Sequence, residues 1–122
     1  TMKYGPYLDE IVKNSYDLWI DGIFGAVRGF NKNITLDEQK ELFFTIVERL
    51  LKDGTIKFTP PNELWHEGYN IWDASTEEIM QYLRNAFPKE AKHEDDMVLI
   101  DYFYGGIPAV LWKQEDGIYR GS

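Results

Sequence analysis

The sequence predicts an α+β fold, with three to four helices packed on a small antiparallel sheet that includes C-terminal hairpins. Apolar residues recur at helical spacing through the first half of the chain, and short β-prone segments separated by glycine turns follow near its end. Helices that precede antiparallel strands are typical of the α+β class. A length of 122 residues predicts a single domain, residues 1–122, because one core usually organises about 100–200 residues.

The N-terminal segment is predicted to form one helix over residues 6–30. Pro6 suits the first helical turn, and apolar side chains from Leu8 to Phe30 recur at spacings of three and four. Inside a helix each glycine costs roughly 1 kcal/mol relative to alanine. Either the helix ends early, or another element packs closely against its three glycines, which are Gly22, Gly25 and Gly29.

The second helix is predicted over residues 36–53. Thr35 and Glu38 have the spacing of a capping box, in which each side chain accepts from the other residue's backbone N–H. Gly54 supplies a C-terminal stop. A short strand over residues 55–59 follows, and it ends at two prolines, which cannot donate to a sheet.

A third helix is predicted to begin after Ser75, which forms a second capping box with Glu78. It continues through Phe87 and ends at Pro88. Residues 62–74 precede it and fit no single element, because a possible helical turn there contains a glycine.

The C-terminal part is predicted to be strands. Two β-prone segments, residues 97–104 and 109–114, flank a glycine pair at 105–106 that would turn the chain between them. The loop at 115–117 then predicts a second hairpin, with glycine in the left-handed position and a short strand at 118–120.

The charge distribution favours a basic partner. The net charge is −8, and residues 62–101 alone contain 3 basic and 10 acidic residues, a balance of −7. Such a field repels nucleic acid and anionic membranes and attracts a basic protein. The alternative is a charge that serves solubility alone. The chain has no cysteine, no apolar run of roughly 18 residues and no secretory signal pattern, which predicts a cytoplasmic location.

No catalytic, metal-binding or cofactor-binding motif is predicted. His66 and His93 lack the spacing of a zinc motif. A small hydrolase could use a pair of carboxylates across a cleft, with Trp65 and Trp72 as sugar platforms. Its candidate acids are Glu63, Glu67, Asp73, Glu77 and Glu78. A chain this short leaves little material to build such a cleft, so we expect binding rather than catalysis.

Two acidic and aromatic segments are candidate partner-binding sites. Protein interfaces are enriched in Trp and Tyr, and their strongest contacts often lie inside a polar ring. The alternative is that these aromatic side chains belong to the core. The candidate binding residues are Glu63, Trp65, Glu67, Trp72, Asp73, Glu77, Glu94, Asp95, Asp96, Asp101, Tyr102 and Tyr104.

Three segments carry a family resemblance: ERLLKDGTIKF at 48–58, STEEIMQYLRNAFP at 75–88 and GGIPAVLWKQEDG at 105–117. Their order over residues 36–120 resembles a group of small bacterial immunity proteins of polymorphic and contact-dependent growth-inhibition toxin systems. The resemblance implies no catalysis and no cofactor, because the shared motifs are caps and turns. It supplies no binding residues, since immunity surfaces differ between relatives.

The resemblance implies a partner as well as a fold. Members of that group bind a cognate toxin C-terminal domain, and many such toxins are cationic nucleases. The predicted function is therefore a cytoplasmic immunity protein that occludes the active site of a toxin domain. The alternatives are an acidic adaptor for another basic protein and the small hydrolase built on residues 63–78.

Overall fold

The computed structural model describes residues 5–30, 32–61 and 70–121 of the chain. The α-helices are α1 (Gly5–Asn14), α2 (Ile20–Phe30), α3 (Leu36–Lys52), α4 (Thr76–Ala86) and α5 (Met97–Asp101). Helix α5 continues into a π-helical turn, Tyr102–Gly106. The strands β1 (Ile56–Phe58), β2 (Val110–Lys113) and β3 (Tyr119–Arg120) form an antiparallel sheet in the order β1-β2-β3. The predicted α+β class is confirmed, and the described part of the chain contains five α-helices instead of three to four.

The predicted single helix over residues 6–30 is wrong, because the chain turns between α1 and α2. The Ser15 hydroxyl donates to the carbonyl of Ile11 at 2.7 Å, and Asp17 adopts a left-handed conformation with φ 66°. Aspartate tolerates that conformation better than most residues, and one left-handed residue ends a right-handed helix. A Cβ placed on Gly25 or Gly29 would have no heavy atom within 4 Å, so close packing does not explain these two glycines.

Helix α3 is the central element of the core. Its predicted capping box is present, with Thr35 and Glu38 each accepting from the other's backbone N–H at 3.1 Å. Gly54 follows its C-terminus with φ 74°, as the predicted stop requires. The buried face of α3 consists of Gln39, Leu42, Phe43, Phe44, Ile46, Val47 and Leu50.

An aromatic cluster joins α3 to the other helices. Phe24 on α2 lies 5.1 Å from Phe103 and 5.4 Å from Phe43, measured between ring centroids. Phe87, after α4, packs on Phe44 at 5.8 Å. Tilted and edge-on pairs at these distances are the favoured geometries for aromatic rings. The cluster therefore fixes α2, α4 and the π-helical turn around α3.

The sheet covers the other side of α3. Ile56 on β1 pairs with Trp112 on β2, and both side chains are fully buried. Strands β2 and β3 form the predicted hairpin, in which Gly117 has φ 83°. Only glycine adopts that conformation without steric cost, so the hairpin predicted at 115–117 is confirmed.

The predicted strand over residues 97–104 is wrong, because this segment is helical. Its buried residues are Leu99, Tyr102 and Phe103, which have the i, i+3, i+4 spacing of one helix face. Aromatic and β-branched content favoured a strand, but β-propensity depends strongly on tertiary context. The glycine pair at 105–106 ends the π-helical turn and does not form a hairpin.

Candidate functional site

The outer face of α5 and the π-helical turn exposes apolar side chains. Met97, Ile100 and Tyr104 are all exposed, with 69% of Met97 and 57% of Tyr104 accessible. Asp101 is exposed on the same face, at helical spacing from Met97 and Tyr104. π-Helical turns are rare and are found frequently at functional sites. This face is therefore a candidate contact surface.

A tryptophan that directly precedes α2 extends this surface. Trp19, immediately before α2, is 55% exposed, and its ring centroid lies 5.8 Å from that of Tyr104, with the planes inclined at 59°. The Tyr104 hydroxyl donates to Asp21 Oδ2 at 2.6 Å. That hydrogen bond, together with desolvation and the charge of Asp21, raises the pKa of Tyr104 above its ordinary value. We call Trp19, Asp21, Ile100, Asp101 and Tyr104 the Trp19–Tyr104 patch.

The turn that carries Trp19 is attached to the sheet. Trp112 on β2 is fully buried, and its Nε1–H donates to the carbonyl of Leu18 at 2.7 Å. Tyr16 packs on the Trp112 ring at 5.3 Å and donates its hydroxyl to the carbonyl of Lys113 at 2.8 Å. These bonds anchor the backbone of the turn immediately before Trp19 to the sheet.

A buried polar network connects α2 to the segment before α5. Glu94 Oε2 accepts from Arg28 Nε at 2.7 Å and from Gln39 Nε2 at 2.9 Å. Gln39 is fully buried, and its amide also donates to the carbonyl of Phe24 at 3.0 Å. Glu94, predicted to contact a partner, is therefore half-buried and engaged by Arg28 and Gln39 of the same chain.

Asp96 and Tyr102 also have structural roles. Asp96 Oδ2 accepts from the backbone N–H groups of Lys92 and His93 at 2.8 and 3.1 Å, which lowers the pKa of Asp96. Tyr102 is only 3% exposed, and its hydroxyl donates to the carbonyl of Leu83 at 2.6 Å. Burial raises the pKa of Tyr102. The expectation that Tyr102 lies on the surface is wrong, because the helix turns it into the core.

The remaining predicted residues divide into three groups. Trp72 is half-buried, donates its backbone N–H to the carbonyl of Phe58 at 2.8 Å and packs edge-on against Tyr82 at 5.4 Å. Asp73, Glu77 and Asp95 are exposed, but within the described residues no hydrogen bond or ion pair joins them to the Trp19–Tyr104 patch. The predictions at 63, 65 and 67 lie outside the described residues; they are Glu63, Trp65 and Glu67.

Sequence reasoning missed Trp19 and Asp21 as site residues. Trp19 has helical spacing within the predicted 6–30 helix, and that spacing assigned it to the buried face. The available signal was local: an acidic residue in the first turn, here Asp21, is typical of a helix that begins just before it. If the helix begins at Ile20, Trp19 lies outside it, and helical spacing no longer assigns Trp19 to the buried face.

The arginines do not neutralise the acidic side chains of the Trp19–Tyr104 patch. All four arginines of the chain form ion pairs with carboxylates of the same chain. The pairs are Arg28–Glu94, Arg49–Asp9, Arg84–Glu41 and Arg120–Asp116. No ion pair within the described residues neutralises Asp21 or Asp101, so the patch retains negative charge.

Two further properties concern the described residues alone. Among them, no group of three or more His, Asp or Glu side chains is arranged to hold a metal ion. None of the described helices combines the length and apolar character that crossing a membrane requires.

No protein-family model and no curated protein sequence matches this chain. A solved structure with a similar fold is that of an uncharacterized protein conserved in bacteria, from Neisseria meningitidis. The two structures superpose with a TM-score of 0.74 at 22% sequence identity, over 96% of this chain and 88% of that chain. The similarity shows that the two chains share a fold.

Proposed function

We propose that this protein is an immunity protein, which binds a cognate basic toxin domain and occludes its active site in the cytoplasm. The observation that carries the proposal is the exposed Trp19–Tyr104 pair, hydrogen-bonded to Asp21 on a surface with uncompensated negative charge. Exposed Trp and Tyr side chains ringed by polar groups are the commonest hot spots of protein interfaces. The motifs at 48–58, 75–88 and 105–117 add the resemblance to immunity proteins.

Charge selects the class of partner. A net charge of −8 repels nucleic acid, anionic lipid and a second copy of the chain. A cationic nuclease domain has the opposite field, because it must hold an anionic substrate. An acidic protein that covers the substrate groove inhibits such a domain without chemistry of its own. An adaptor for another basic protein would use the same surface, and the identity of the partner separates the two functions.

The test begins by asking whether a neighbouring reading frame encodes a secreted toxin, and it uses the C-terminal domain of such a protein. Cells that produce this domain should stop growing, and co-production of the parent protein should restore growth. Combined Trp19→Ala and Tyr104→Ala should weaken binding at least about 30-fold, which corresponds to the roughly 2 kcal/mol loss of a hot spot. Ile118→Ala is the matched control, since Ile118 is equally exposed but lies in the β2–β3 loop.

One outcome would reject this function, and another would reject only the proposed surface. If the parent protein neither binds the domain nor restores growth, the immunity role is wrong. If binding persists unchanged in the double variant while circular dichroism confirms its fold, then the surface is wrong. Capture of a different basic protein by the same patch would favour the adaptor.

Association should also depend on salt. Exposed charges steer encounter over a Debye length of about 8 Å at physiological ionic strength. Asp73→Lys with Asp95→Lys should slow association in stopped-flow measurements and flatten its salt dependence, with little change in dissociation. These two residues are exposed, whereas reversing Glu94 or Asp96 would break internal hydrogen bonds. An association rate of the parent protein that does not respond to salt would exclude electrostatic steering.

A further inference from the structure

We propose that Trp19, Tyr104 and Asp21 together form a receptor for one arginine side chain of the partner. This inference rests on the proposed function and deepens it, because it names the group that the partner inserts. The three side chains bring two aromatic faces and a carboxylate to one point, although Asp21 and Tyr104 are 83 residues apart in sequence.

The two rings offer faces to a cation. Their planes meet at 59° with centroids 5.8 Å apart, and more than half of each side chain is accessible. A cation within about 6 Å of a Trp or Tyr centroid is attracted by the negative face of the ring. The Tyr104 hydroxyl donates to a carboxylate, which pushes electron density into the phenol ring and strengthens that attraction.

The carboxylate completes the receptor. The Tyr104 hydroxyl donates to Asp21 Oδ2. The other carboxylate oxygen of Asp21, Oδ1, has no hydrogen-bond partner within residues 5–30, 32–61 and 70–121. Asp101, close to one helical turn before Tyr104, is exposed beside it. A guanidinium can stack on a ring and donate in its own plane to a carboxylate at the same time, but an ammonium has no plane to stack. The receptor therefore prefers arginine to lysine.

A second copy of the chain is a poor source of that arginine. Each of its arginines already forms an ion pair with a carboxylate of the same chain: Arg28, Arg49, Arg84 and Arg120. Symmetric pairing would also place Asp21 and Asp101 opposite their own copies. The guanidinium must come from a different, basic protein.

The experiment titrates ¹⁵N-labelled protein with acetylated tri-arginine amide and tri-lysine amide at matched ionic strength. The Trp19 indole N–H signal should shift saturably with tri-arginine, about three- to fivefold more tightly than with tri-lysine, as stacking on an exposed ring implies. Asp21→Asn should reduce tri-arginine affinity to that of tri-lysine. Asp95→Asn removes the same charge from another exposed position and should leave the preference intact.

Each other result overturns the receptor. Equal affinity for the two peptides would show attraction by net charge alone, and shifts that avoid Trp19 would place the cation elsewhere. Either result leaves the proposed function standing if growth rescue still depends on Trp19 and Tyr104. Conversely, a receptor that prefers tri-arginine in a protein that binds no toxin domain would retain the receptor and reject the immunity role.

Discussion

Replacing Tyr102 with phenylalanine removes one oxygen atom from the core and leaves the ring in place. Its hydroxyl donates to the carbonyl of Leu83 at 2.6 Å, in the last turn of α4, where carbonyls have no partner within the helix. The backbone N–H of Phe87, which could have reached that carbonyl, bonds to Arg84 instead. Tyr102→Phe therefore leaves a buried acceptor unsatisfied, which costs about 1–3 kcal/mol of unfolding free energy.

Thermal and urea unfolding measure this loss directly. For a domain of this size, a loss of about 2 kcal/mol lowers Tm by roughly 6–12 °C. Tyr104→Phe is the matched control, because its hydroxyl also makes a 2.6 Å hydrogen bond, to Asp21, but at an exposed position. Water replaces an exposed partner, so the control should change Tm far less. Equal shifts in the two variants would refute the argument that burial sets the cost.

The remaining predictions concern Gly54, Gly25 and Asp96. Gly54→Ala should lower the free energy of unfolding by about 1 kcal/mol in urea titrations, because φ is 74° at this position. Gly25→Ala should raise that free energy by up to about 1 kcal/mol, because the residue lies inside α2 with open space around its Cβ. Asp96→Asn should lower the urea midpoint at pH 7, since the backbone N–H groups of Lys92 and His93 hold the pKa of Asp96 below its ordinary value. Stability from a lowered pKa is present above the ordinary value and is lost as pH falls through the lowered one. The difference between Asp96→Asn and the parent should therefore shrink below about pH 4, and a difference that is constant from pH 7 to pH 2 would contradict this.

Local chemistry made part of the fold predictable. The Thr35 capping box and the left-handed Gly117 each depend on a few neighbouring residues, and each is present as predicted. Ser75 also caps α4 by accepting from the backbone N–H of Glu78, but the reciprocal bond of the predicted capping box does not form between these two described residues. The helix over residues 97–101 was not predictable in the same way. The apolar residues of this segment suit a strand and a helix equally. The choice between them depends on distant packing, such as that of Phe103, in the π-helical turn that follows, against Phe24 and Phe43.

The site was less predictable than the fold for the same reason. Asp101 and Tyr104 were identified from charge and aromatic content, but their neighbours Trp19 and Asp21 come from the other end of the chain. Charge counting also treated Glu94 as part of an outer rim, although Arg28, 66 residues away, pairs with it in a half-buried position. Composition predicts the sign of a surface, and the fold decides which charges remain on it.

The network of Arg28, Gln39 and Glu94 has a thermodynamic consequence for association. It ties the segment before α5 to α2 and α3. The helix that follows Trp19 and the helix that leads into the turn of Tyr104 are therefore held in position before any encounter. Ordering a flexible interface side chain costs about 0.5–1.5 kcal/mol on binding. Because the two rings already touch, most of that entropy loss is borne during folding. The entropy cost of association then falls mainly on the partner.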